Sequence, residues 1–390
     1  MSPTGVALLG STGSIGEQAI DVIREADGRF RVVALAARRS AARLAAQARD
    51  LRPEVVALVD DTEAGQLARD LPAGCRLEVG PEAVGELAAL DSAEVVLNGV
   101  TGSVGLRPTL RALEAGRRLA LANKESLIVG GSLVASRARP GQIVPVDSEH
   151  SALAQCLRAG SPDEVARLVI TASGGPFRGR SAQELAGVSP EEALAHPTWS
   201  MGPVISVNCA TLVNKGLEVI EAHLLFGVAY DDVEVVVHPQ SVVHSMVEFS
   251  DGSTLAQASP PDMRLPIALA MGWPDRVPGA AAPLDWTSVH RWDFLPLDEV
   301  AFPAVQLCRE AGRAGGAVPA ALNAANEEAV AAFLAGGLAF RGILDVVARV
   351  TSDAPRVGNP RSVAEVVQVE EWARRRAREL VAGQAAGSGG

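Results

Sequence analysis

The sequence is poor in cysteine and has neither a long apolar run nor a concentrated block of positive charge. The four cysteines among 390 residues are scattered, without the spacing of a metal cluster or a disulfide framework, and this is typical of reduced thiols in a cytosol. The 46 Asp and Glu residues outnumber the 35 Lys and Arg residues, so the net charge is −11. The longest basic run is residues 374–376, which argues against nucleic acid as the main partner.

No segment resembles a signal peptide or a membrane span. We therefore expect a soluble, cytoplasmic protein with no membrane partner. Hydrophobic residues make up 48% of the chain and charged residues 21%, a composition typical of a well-packed globular protein. The length exceeds that of one ordinary core, so we expect two or three domains.

A glycine-rich turn follows the first apolar strand, which we predict at residues 6–9. Glycines between a strand and a helix let backbone N–H groups and the helix N-terminus approach a pyrophosphate. The spacing is G-x-x-G-x-x-G, and an ordinary turn is the alternative. The predicted cofactor contacts are Gly10, Ser11, Thr12, Gly13, Ser14, Ile15 and Gly16.

The second predicted strand, residues 31–37, ends at Arg38, Arg39 and Ser40. An NAD enzyme places an acidic residue near this point for the ribose hydroxyls. Two guanidinium groups and a hydroxyl instead suit a 2′-phosphate and predict NADP(H). The alternative is a solvated start of the next helix.

Further strands are predicted at residues 55–59, 95–98, 118–122 and 143–146, alternating with helices. This order predicts an open parallel sheet, whose ligands lie at the carboxyl ends of its strands. Two polar turns, residues 123–126 and 147–150, follow such strand ends. We therefore expect both turns to share a crevice with the nicotinamide.

The turn at residues 147–150 carries two carboxylates, and we call it the acidic turn. If the backbone stays extended, Asp147 and Glu149 lie on one side and Ser148 faces away. Close like charges favour a divalent cation between them. The alternative is a helix cap, with Glu149 near the helix dipole.

The middle of the chain adds three polar segments. Ser173 opens a glycine-containing loop that can hold an anion or be a plain turn. Residues 196–203 contain Trp199 and Met201 between proline and glycine, as in a lid that excludes water or a fixed hydrophobic plug. Asn214, Lys215 and Glu218 share a helix face, either as a phosphate and metal site or as a surface ion pair. All three segments lie between residues 173 and 218.

A further strand end places Ser241, His238 and His244 near one another in sequence. Ser241 or His244 is a candidate for the same site, whereas for His238 we favour a hydrogen-bonded core residue. Residues 275–300 have the composition of a linker. Helical periodicity then recurs at 301–313, 317–334, 343–350 and 363–381, which predicts a helical bundle. Within it, the polar residues at 323–328 either form a cap or support an active-site loop, and we favour support.

Six ordered motifs together resemble the 1-deoxy-D-xylulose 5-phosphate reductoisomerase family over nearly the whole chain. They are residues 10–16 (GSTGSIG), 121–126 (LANKES), 147–150 (DSEH), 173–177 (SGGPF), 214–218 (NKGLE) and 238–241 (HPQS). The resemblance implies an α/β fold with an N-terminal Rossmann-like NADPH domain, a central α/β catalytic and dimerisation domain and a C-terminal helical bundle. We expect these at residues 1–147, 148–274 and 301–382, with a linker at 275–300, a lid at 196–203 and a flexible tail at 383–390. It also implies a homodimer.

The resemblance implies a role for individual residues. Asp147, Glu149 and Glu218 look like ligands of Mg²⁺ or Mn²⁺, and Lys124 and Ser148 look like contacts to the oxygen-bearing carbons of the substrate. Further substrate contacts match Ser173, His196, Trp199, Cys209, Asn214 and Lys215, with Met201, Ser241 and Met263 in neighbouring segments. Further NADPH contacts are expected at Asn123, Glu125 and Gly202. Lys124, Asp147, Glu149, His196 and Glu218 form the expected catalytic set.

The implied activity is the NADPH- and metal-dependent isomerisation and reduction of 1-deoxy-D-xylulose 5-phosphate in non-mevalonate isoprenoid biosynthesis. One departure is Cys209, where the family usually has serine, and it predicts weaker phosphate binding. The departure leaves open a specialised, inhibitor-tolerant copy of the enzyme. Two rival functions are a metal-independent NADP reductase, such as one acting on an amino-acid semialdehyde, and a non-catalytic NADP-binding sensor.

Overall fold

The computed structural model describes residues 2–199, 201–355 and 357–387. The first part of the chain alternates strands and helices: β1 (Thr4–Leu9), α1 (Ser14–Glu25), β2 (Phe30–Ala37), α2 (Ala41–Leu51), β3 (Val55–Leu58), α3 (Ala64–Asp70), β4 (Arg76–Val79), α4 (Ala83–Ala88), β5 (Val95–Asn98), α5 (Leu106–Glu114), β6 (Arg118–Leu121), α6 (Lys124–Ala135), β7 (Ile143–Pro145) and α7 (Ser148–Cys156).

The later elements are β8 (Val165–Ala172), α8 (Pro190–Leu194), α9 (Pro203–Ala210), α10 (Val213–Phe226), β9 (Val233–Val237), β10 (Val243–Phe249), β11 (Thr254–Ala258), α11 (Arg264–Gly272), β12 (Leu295–Pro296), α12 (Ala304–Ala314), α13 (Val318–Leu334), α14 (Phe340–Asp353) and α15 (Val363–Gly387). The chain forms two compact units. Unit 1 contains residues 1–126, 134–154 and 262–284, and unit 2 contains residues 127–133, 155–261 and 285–390.

Unit 1 is built on a parallel sheet of seven strands in the order β4-β3-β2-β1-β5-β6-β7. Apolar side chains at Leu8, Leu35 and Leu97 are fully buried, because helices cover the sheet. The strand order reverses between β2-β1 and β1-β5, and ligands of such sheets bind where the strand order reverses, beyond the carboxyl ends. The predicted open parallel sheet is therefore confirmed.

Strand β4 was not predicted from the sequence. Its residues Arg76, Glu78 and Val79 are exposed, so it lacks the continuous apolar run of the buried strands. Helix α11 also belongs to unit 1, where it packs against α1, although it follows the strands of unit 2 in the chain. The domain boundaries expected from the sequence stay predictions.

The backbone of the acidic turn is not extended, so the condition under which Ser148 would face away from Asp147 and Glu149 does not hold. Helix α7 begins at Ser148, because the Asp147 carbonyl accepts the N–H of Ser151 at 2.8 Å and its carboxylate accepts the N–H of Glu149 at 3.3 Å. Both bonds turn the chain into a helix directly after Asp147. The alternation of a strand therefore does not set the directions of these side chains.

Unit 2 contains a mixed sheet of five strands in the order β11-β10-β8-β9-β12. Strands β8 and β9 are parallel, so their carboxyl ends lie at the same edge, whereas β10 and β12 run antiparallel to their neighbours. Strand β12 lies within the predicted linker. Both polar segments that follow β8 and β9 thus begin at one edge of the sheet.

The C-terminal part of unit 2 is the predicted helical bundle. Helix α13 packs against α14 and α15, and Arg374 of α15 contacts Glu327 of α13 at 2.5 Å. Helix α15 continues past its predicted end at residue 381, since the alanines that follow are strong helix formers. The predicted tail thus begins inside a helix, and its residues 388–390 lie outside the described residues. In the described part of the chain, every helix is too short or too polar to span a membrane.

Candidate active site

The glycine turn of unit 1 has the backbone that its sequence requires. Gly10 has φ +84°, and a Cβ at Gly16 would lie 2.4 Å from the Cα of Ser11. A side chain is therefore excluded at Gly16, where helix α1 meets the turn. Gly13 is exposed at the N-cap of α1, and its φ of −87° needs no glycine.

The hydroxyl of Ser11 faces the protein interior. Ser11 is fully buried, its Oγ donates to Gln47 Oε1 at 2.7 Å, and Gln47 Nε2 donates to the Ser11 carbonyl at 2.9 Å. The Ser11 N–H donates to the Ala36 carbonyl at 2.9 Å, so the hydroxyl, N–H and carbonyl of Ser11 all have partners within the protein. Thr12 and Ser14, in contrast, are accessible. Gln47 was missed in the sequence, since a lone glutamine on a helix gives no signal.

The predicted 2′-phosphate contacts Arg38, Arg39 and Ser40 are all exposed at the carboxyl end of β2. Arg39 Nε donates to Asp60 Oδ2 at 3.2 Å. Asp60 follows β3, and hydrogen bonds from Thr62 lower the pKa of its carboxyl group. Asp60 therefore competes with a phosphate for Arg39, and it lies 21 residues further along the chain, outside the predicted motif.

The turn after β6 is held by buried amides. Asn123 donates to the carbonyl groups of Val100 and Gly102, the latter at 2.8 Å, and its Oδ1 accepts the N–H of Ser126 at 2.7 Å. Asn98 also acts from β5, where its Nδ2 donates to Gly105 and Thr109 at 3.0 and 2.9 Å. These bonds fix the backbone of the segment that contains Lys124 and the partly exposed Glu125.

Asp147, the first residue of the acidic turn, contacts both Lys124 and His150. One of its carboxylate oxygens contacts the ammonium group of Lys124, and the other lies 3.2 Å from Nδ1 of His150. Burial alone would raise the pKa of Asp147, but Lys124 and His150 outweigh it and hold the pKa well below its usual range. The cap and the ligand interpretations are therefore compatible, since Asp147 caps α7 and stays ionised.

The acidic turn has the chemistry of a site for a hard divalent cation. Glu149 is partly buried, and its Oε2 accepts the Ser148 hydroxyl at 2.6 Å. Together with Asp147 it offers carboxylate oxygens, the ligands that Mg²⁺ and Mn²⁺ prefer. The residues of this turn therefore fit such an ion.

In unit 2, Ser173 and His196 form the second polar constellation. Nδ1 of His196 accepts the N–H groups of Thr198 and Trp199 at 3.1 and 3.0 Å, so the neutral ring carries its proton on Nε2. Nε2 lies 3.1 Å from Ser173 Oγ and donates to it. Ser173 Oγ also accepts the N–H of Gly175 at 3.2 Å. With two donors on its oxygen, the Ser173 hydroxyl keeps its own proton for an acceptor such as a phosphate oxygen.

Helix α10 begins with the three residues predicted to share a face. Asn214 Nδ2 donates to Glu218 Oε1 at 2.5 Å, and Lys215 contacts the other carboxylate oxygen of Glu218. Lys215 and Glu218 are 4% and 1% exposed, so this is a buried pair and not the solvated surface pair of the alternative. A buried cation and amide at a helix N-terminus suit an anion.

Cys209 lies at the end of α9, between these two groups in the chain. A Cβ at Gly175 would come within 2.7 Å of the Cys209 carbonyl, so the Ser173 loop packs directly on this segment. On the other side, Asn326 of α13 donates to Oδ1 of the buried Asn208 at 2.9 Å. Asn326 of α13 therefore contacts α9 directly, and the support of an active-site loop by residues 323–328 stays a prediction.

Three further predicted residues follow His196 in the chain. Trp199 is partly buried next to His196, Gly202 is the N-cap of α9, and Met201 is partly exposed. Residue 200 of the predicted lid lies outside the described residues. Buried His238 makes three hydrogen bonds, as expected for a core histidine.

Comparison with known proteins identifies the family of this chain. Models of the 1-deoxy-D-xylulose 5-phosphate reductoisomerase family match residues 6–131, and models of its C-terminal domains match residues 143–226 and 258–376. A protein of that name from Kitasatospora griseola is 60% identical over 388 residues, covering 97% of this chain and 100% of the relative. This chain belongs to the 1-deoxy-D-xylulose 5-phosphate reductoisomerase family.

Solved structures of reductoisomerases share the fold. The Zymomonas mobilis enzyme in complex with NADPH is 41% identical, with a TM-score of 0.91, and the match covers 97% of this chain and 99% of that one. A second reductoisomerase, in complex with NADPH, fosmidomycin and magnesium, is 35% identical, with a TM-score of 0.91 and a coverage of 97% and 98%. The predicted fold class is thereby confirmed.

Proposed function

We propose that this chain converts 1-deoxy-D-xylulose 5-phosphate into 2-C-methyl-D-erythritol 4-phosphate, using NADPH and a divalent cation, as a step of non-mevalonate isoprenoid biosynthesis. The observation that carries the proposal is the full-length similarity to reductoisomerases, at 60% identity to one relative. The buried polar groups in both units support it, since ionised, buried carboxylates such as Asp147 are concentrated at catalytic sites.

The substrate phosphate is bound in unit 2. The Ser173 hydroxyl has a free proton to donate, because His196 and Gly175 already occupy its oxygen. Lys215 and Asn214 supply a cation and an amide at the N-terminus of α10. Cys209 completes this set. Binding energy gained at the phosphate is far from the reacting carbons and helps to order the lid around His196 and Trp199, which excludes water.

The divalent cation is held by Asp147, Glu149 and Glu218, a ligand set taken from the sequence resemblance. Mg²⁺ or Mn²⁺ bound there polarises the substrate carbonyl and acidifies the neighbouring hydroxyl. Lys124 and Ser148 bind the oxygen atoms on the reacting carbons of the substrate. His150 lies 3.2 Å from Asp147 and keeps that carboxylate oriented.

NADPH is bound by the glycine turn, with further contacts from Asn123, Glu125 and Gly202. The backbone N–H of Ser14 and the N-terminus of α1 take the pyrophosphate, whereas the Gly13 N–H donates to the Gly10 carbonyl at 3.0 Å and closes the turn. Arg38, Arg39 and Ser40 bind the 2′-phosphate. The cofactor supplies the hydride that reduces the rearranged aldehyde.

The working unit is a homodimer in the cytoplasm. The family resemblance supports the dimer, and the scattered, reduced cysteines support the compartment. Light scattering coupled to size-exclusion chromatography measures the mass directly. A single species of one chain at micromolar concentration would contradict the dimer.

The proposal is tested with purified protein, NADPH, 1-deoxy-D-xylulose 5-phosphate and Mg²⁺ or Mn²⁺. We expect oxidation of NADPH with formation of the branched phosphate, loss of turnover on chelation and recovery when metal is returned. Activity that survives chelation would indicate a metal-independent reductase. Binding of NADPH without turnover would indicate a sensor.

A further inference from the structure

The turn at residues 238–241 joins β9 to β10 in unit 2, and we call it the HPQS turn. His238 follows β9, and its N–H donates to the carbonyl of Ala172 at 2.7 Å. Ala172 ends the neighbouring parallel strand β8, directly before Ser173. The HPQS turn and the phosphate-binding Ser173 loop therefore leave the sheet from adjacent strand ends.

Ser241 has an unusual backbone at the end of this turn. Its φ is +50°, in the left-handed region that a serine seldom adopts, and the residue is 8% exposed. Such a conformation persists only where neighbouring groups hold it. The hydrogen bonds that follow Ser241 in the chain show what holds it.

The His238 ring binds the chain on both of its sides. Nε2 accepts the N–H groups of Val242 and Val243 at 3.2 and 3.1 Å. This nitrogen therefore carries no proton, so the proton lies on Nδ1, which donates to the Asp293 carbonyl at 2.9 Å. The ring is fully buried and stacks on Phe294, with a centroid distance of 4.7 Å and an angle of 14°.

Asp293 and Phe294 belong to the segment at residues 275–300 that the sequence predicts as a linker. Gln240 also binds this segment, since its Nε2 donates to Asp293 Oδ2 at 2.7 Å and its Oε1 accepts the Asp293 N–H at 3.3 Å. We call the hydrogen bonds of His238 and Gln240 to Asp293 the linker tie. Leu295 then pairs with Val237 of β9. The linker is thus bound to the HPQS turn by side chains and to β9 by its backbone.

We propose that His238 is a positioning residue for the reaction: its Nε2 holds Ser241 in the left-handed conformation at the substrate site, and its Nδ1 ties that turn to the linker at Asp293. The proposal rests on the proposed function, because Ser241 lies in a substrate-pocket segment by family resemblance. The His238 imidazole thus makes hydrogen bonds both to the backbone that follows Ser241 and to the linker residue Asp293.

Substitutions can separate the two interactions of His238, which are the Nδ1 bond to Asp293 and the Nε2 bonds to Val242 and Val243. A glutamine carries its amide at the distance of Nε2, so His238→Gln keeps an acceptor for Val242 and Val243 and loses the donor to Asp293. An asparagine carries its amide at the distance of Nδ1, so His238→Asn keeps the donor to Asp293 and loses the acceptor. Gln240→Leu weakens only the linker tie and leaves His238 intact.

Each full-length variant is examined by steady-state kinetics and by tryptic cleavage after Arg291, which is 85% exposed in the linker. For His238→Asn we expect kcat/KM for the substrate to fall about tenfold, the scale of an unsatisfied buried group, with cleavage near the wild-type rate. For His238→Gln we expect kcat/KM within about threefold of wild type and cleavage about fivefold faster. Gln240→Leu should accelerate cleavage in the same way.

His223 provides a matched control. It also stacks on an aromatic ring, that of Tyr230 at 4.2 Å, and its Nδ1 lies 2.8 Å from a carbonyl, that of Val228. His223→Asn and His223→Gln should lower the melting temperature. We expect the two variants to have the same kcat/KM and the same rate of cleavage after Arg291.

His238→Asn with wild-type kcat/KM, or equal kinetic losses in His238→Asn and His238→Gln, would overturn the positioning role. If the His238 variants do not fold, Gln240→Leu decides the linker tie, and an unchanged cleavage rate there counts against it. Absence of turnover in the wild-type protein contradicts the proposed function instead. The cleavage measurements still decide the tie in that case, since they do not depend on turnover.

Discussion

The Oγ atom of Ser173 lies 3.1 Å from Nε2 of His196, and this contact sets the direction of the serine proton. The other ring nitrogen accepts two backbone N–H groups, so the ring is neutral and donates through Nε2. The direction of the Ser173 hydroxyl proton, which we propose is donated to the substrate phosphate, therefore depends on the protonation state of His196.

This dependence predicts a loss of activity in acid. Burial lowers the pKa of His196, because desolvation disfavours the imidazolium form. The neutral ring is thus fully present above the ordinary histidine pKa of about 6.5 and is lost as the pH falls through the lowered value. We expect the contribution of His196 to kcat/KM to be constant above about pH 6.5 and to decline only at lower pH, as the pH falls through the lowered pKa.

His196→Asn removes the titrating group. We expect kcat/KM to fall about fivefold at pH 8, the scale of one net hydrogen bond, and the acid decline to become shallower. The substrate phosphate also titrates near pH 6, so both proteins must be compared in the same buffers. An identical acid limb in wild type and variant would assign the decline to the substrate alone.

A second prediction concerns Cys209, which stands where reductoisomerases usually have serine. A thiol is a weaker hydrogen-bond donor than a hydroxyl, so Cys209→Ser should strengthen phosphate binding by about 1 kcal/mol. We expect an about fivefold lower KM for the substrate and an about fivefold lower inhibition constant for a phosphonate analogue such as fosmidomycin. Titrations of both compounds measure these constants.

Cys75→Ser is the matched control for this exchange, because Cys75 is a partly exposed thiol in unit 1. It should leave both constants unchanged. If Cys209→Ser also leaves them unchanged, the thiol has no part in phosphate binding. The idea of an inhibitor-tolerant copy then loses its basis.

Much of the nucleotide half could be predicted from the sequence, because its signals are local. The positive φ of Gly10 and the close approach at Gly16 follow from glycine spacing alone. The buried Gln47, which binds Ser11 at 2.7 Å, could not be predicted, since the contact joins residues that are distant in sequence. Strand β4 was missed for a different reason, because its exposed edge carries charged residues.

The acidic turn shows the same limit. Its residue types indicate carboxylate chemistry, but a helix begins at Ser148, so the alternation of a strand does not set the side-chain directions. The ion pair of Asp147 with Lys124 depends on the pairing of β6 with β7 and has no signature in either motif. Chemistry was thus easier to predict than orientation.

A third prediction concerns cofactor selectivity at Arg39. Its guanidinium group is exposed and hydrogen-bonded to Asp60, from which it must turn toward a 2′-phosphate. Arg39→Met should raise the KM for NADPH by about tenfold, as expected for loss of one charge-assisted hydrogen bond, and leave that for NADH nearly unchanged. Initial rates with both cofactors give the ratio.

Arg24→Met is the control for Arg39, since Arg24 is an exposed arginine of α1 paired with Asp21 and Asp50. It should alter neither cofactor constant. Equal effects of Arg39→Met on NADPH and NADH would show that Arg39 does not read the 2′-phosphate.

The last prediction concerns the support of α9 by α13. Asn326 donates to Asn208 at 2.9 Å, and the two residues are 1% and 6% exposed. Asn326→Ala leaves the Asn208 oxygen buried without its donor, which should lower the free energy of unfolding by about 1–3 kcal/mol. Since Asn208 precedes Cys209, the KM for the substrate should also rise by about fivefold, the scale of one net hydrogen bond.

Asn323→Ala, one turn earlier on α13, separates this support from a general effect on the helix. Asn323 is equally buried, but its amide donates within its own helix, to Glu327 at 3.0 Å. We therefore expect a loss of stability in urea unfolding without the rise in KM. A rise in KM of the same size in both variants would mean that α13 as a whole, and not the bond to Asn208, fixes the position of the end of α9 at Cys209.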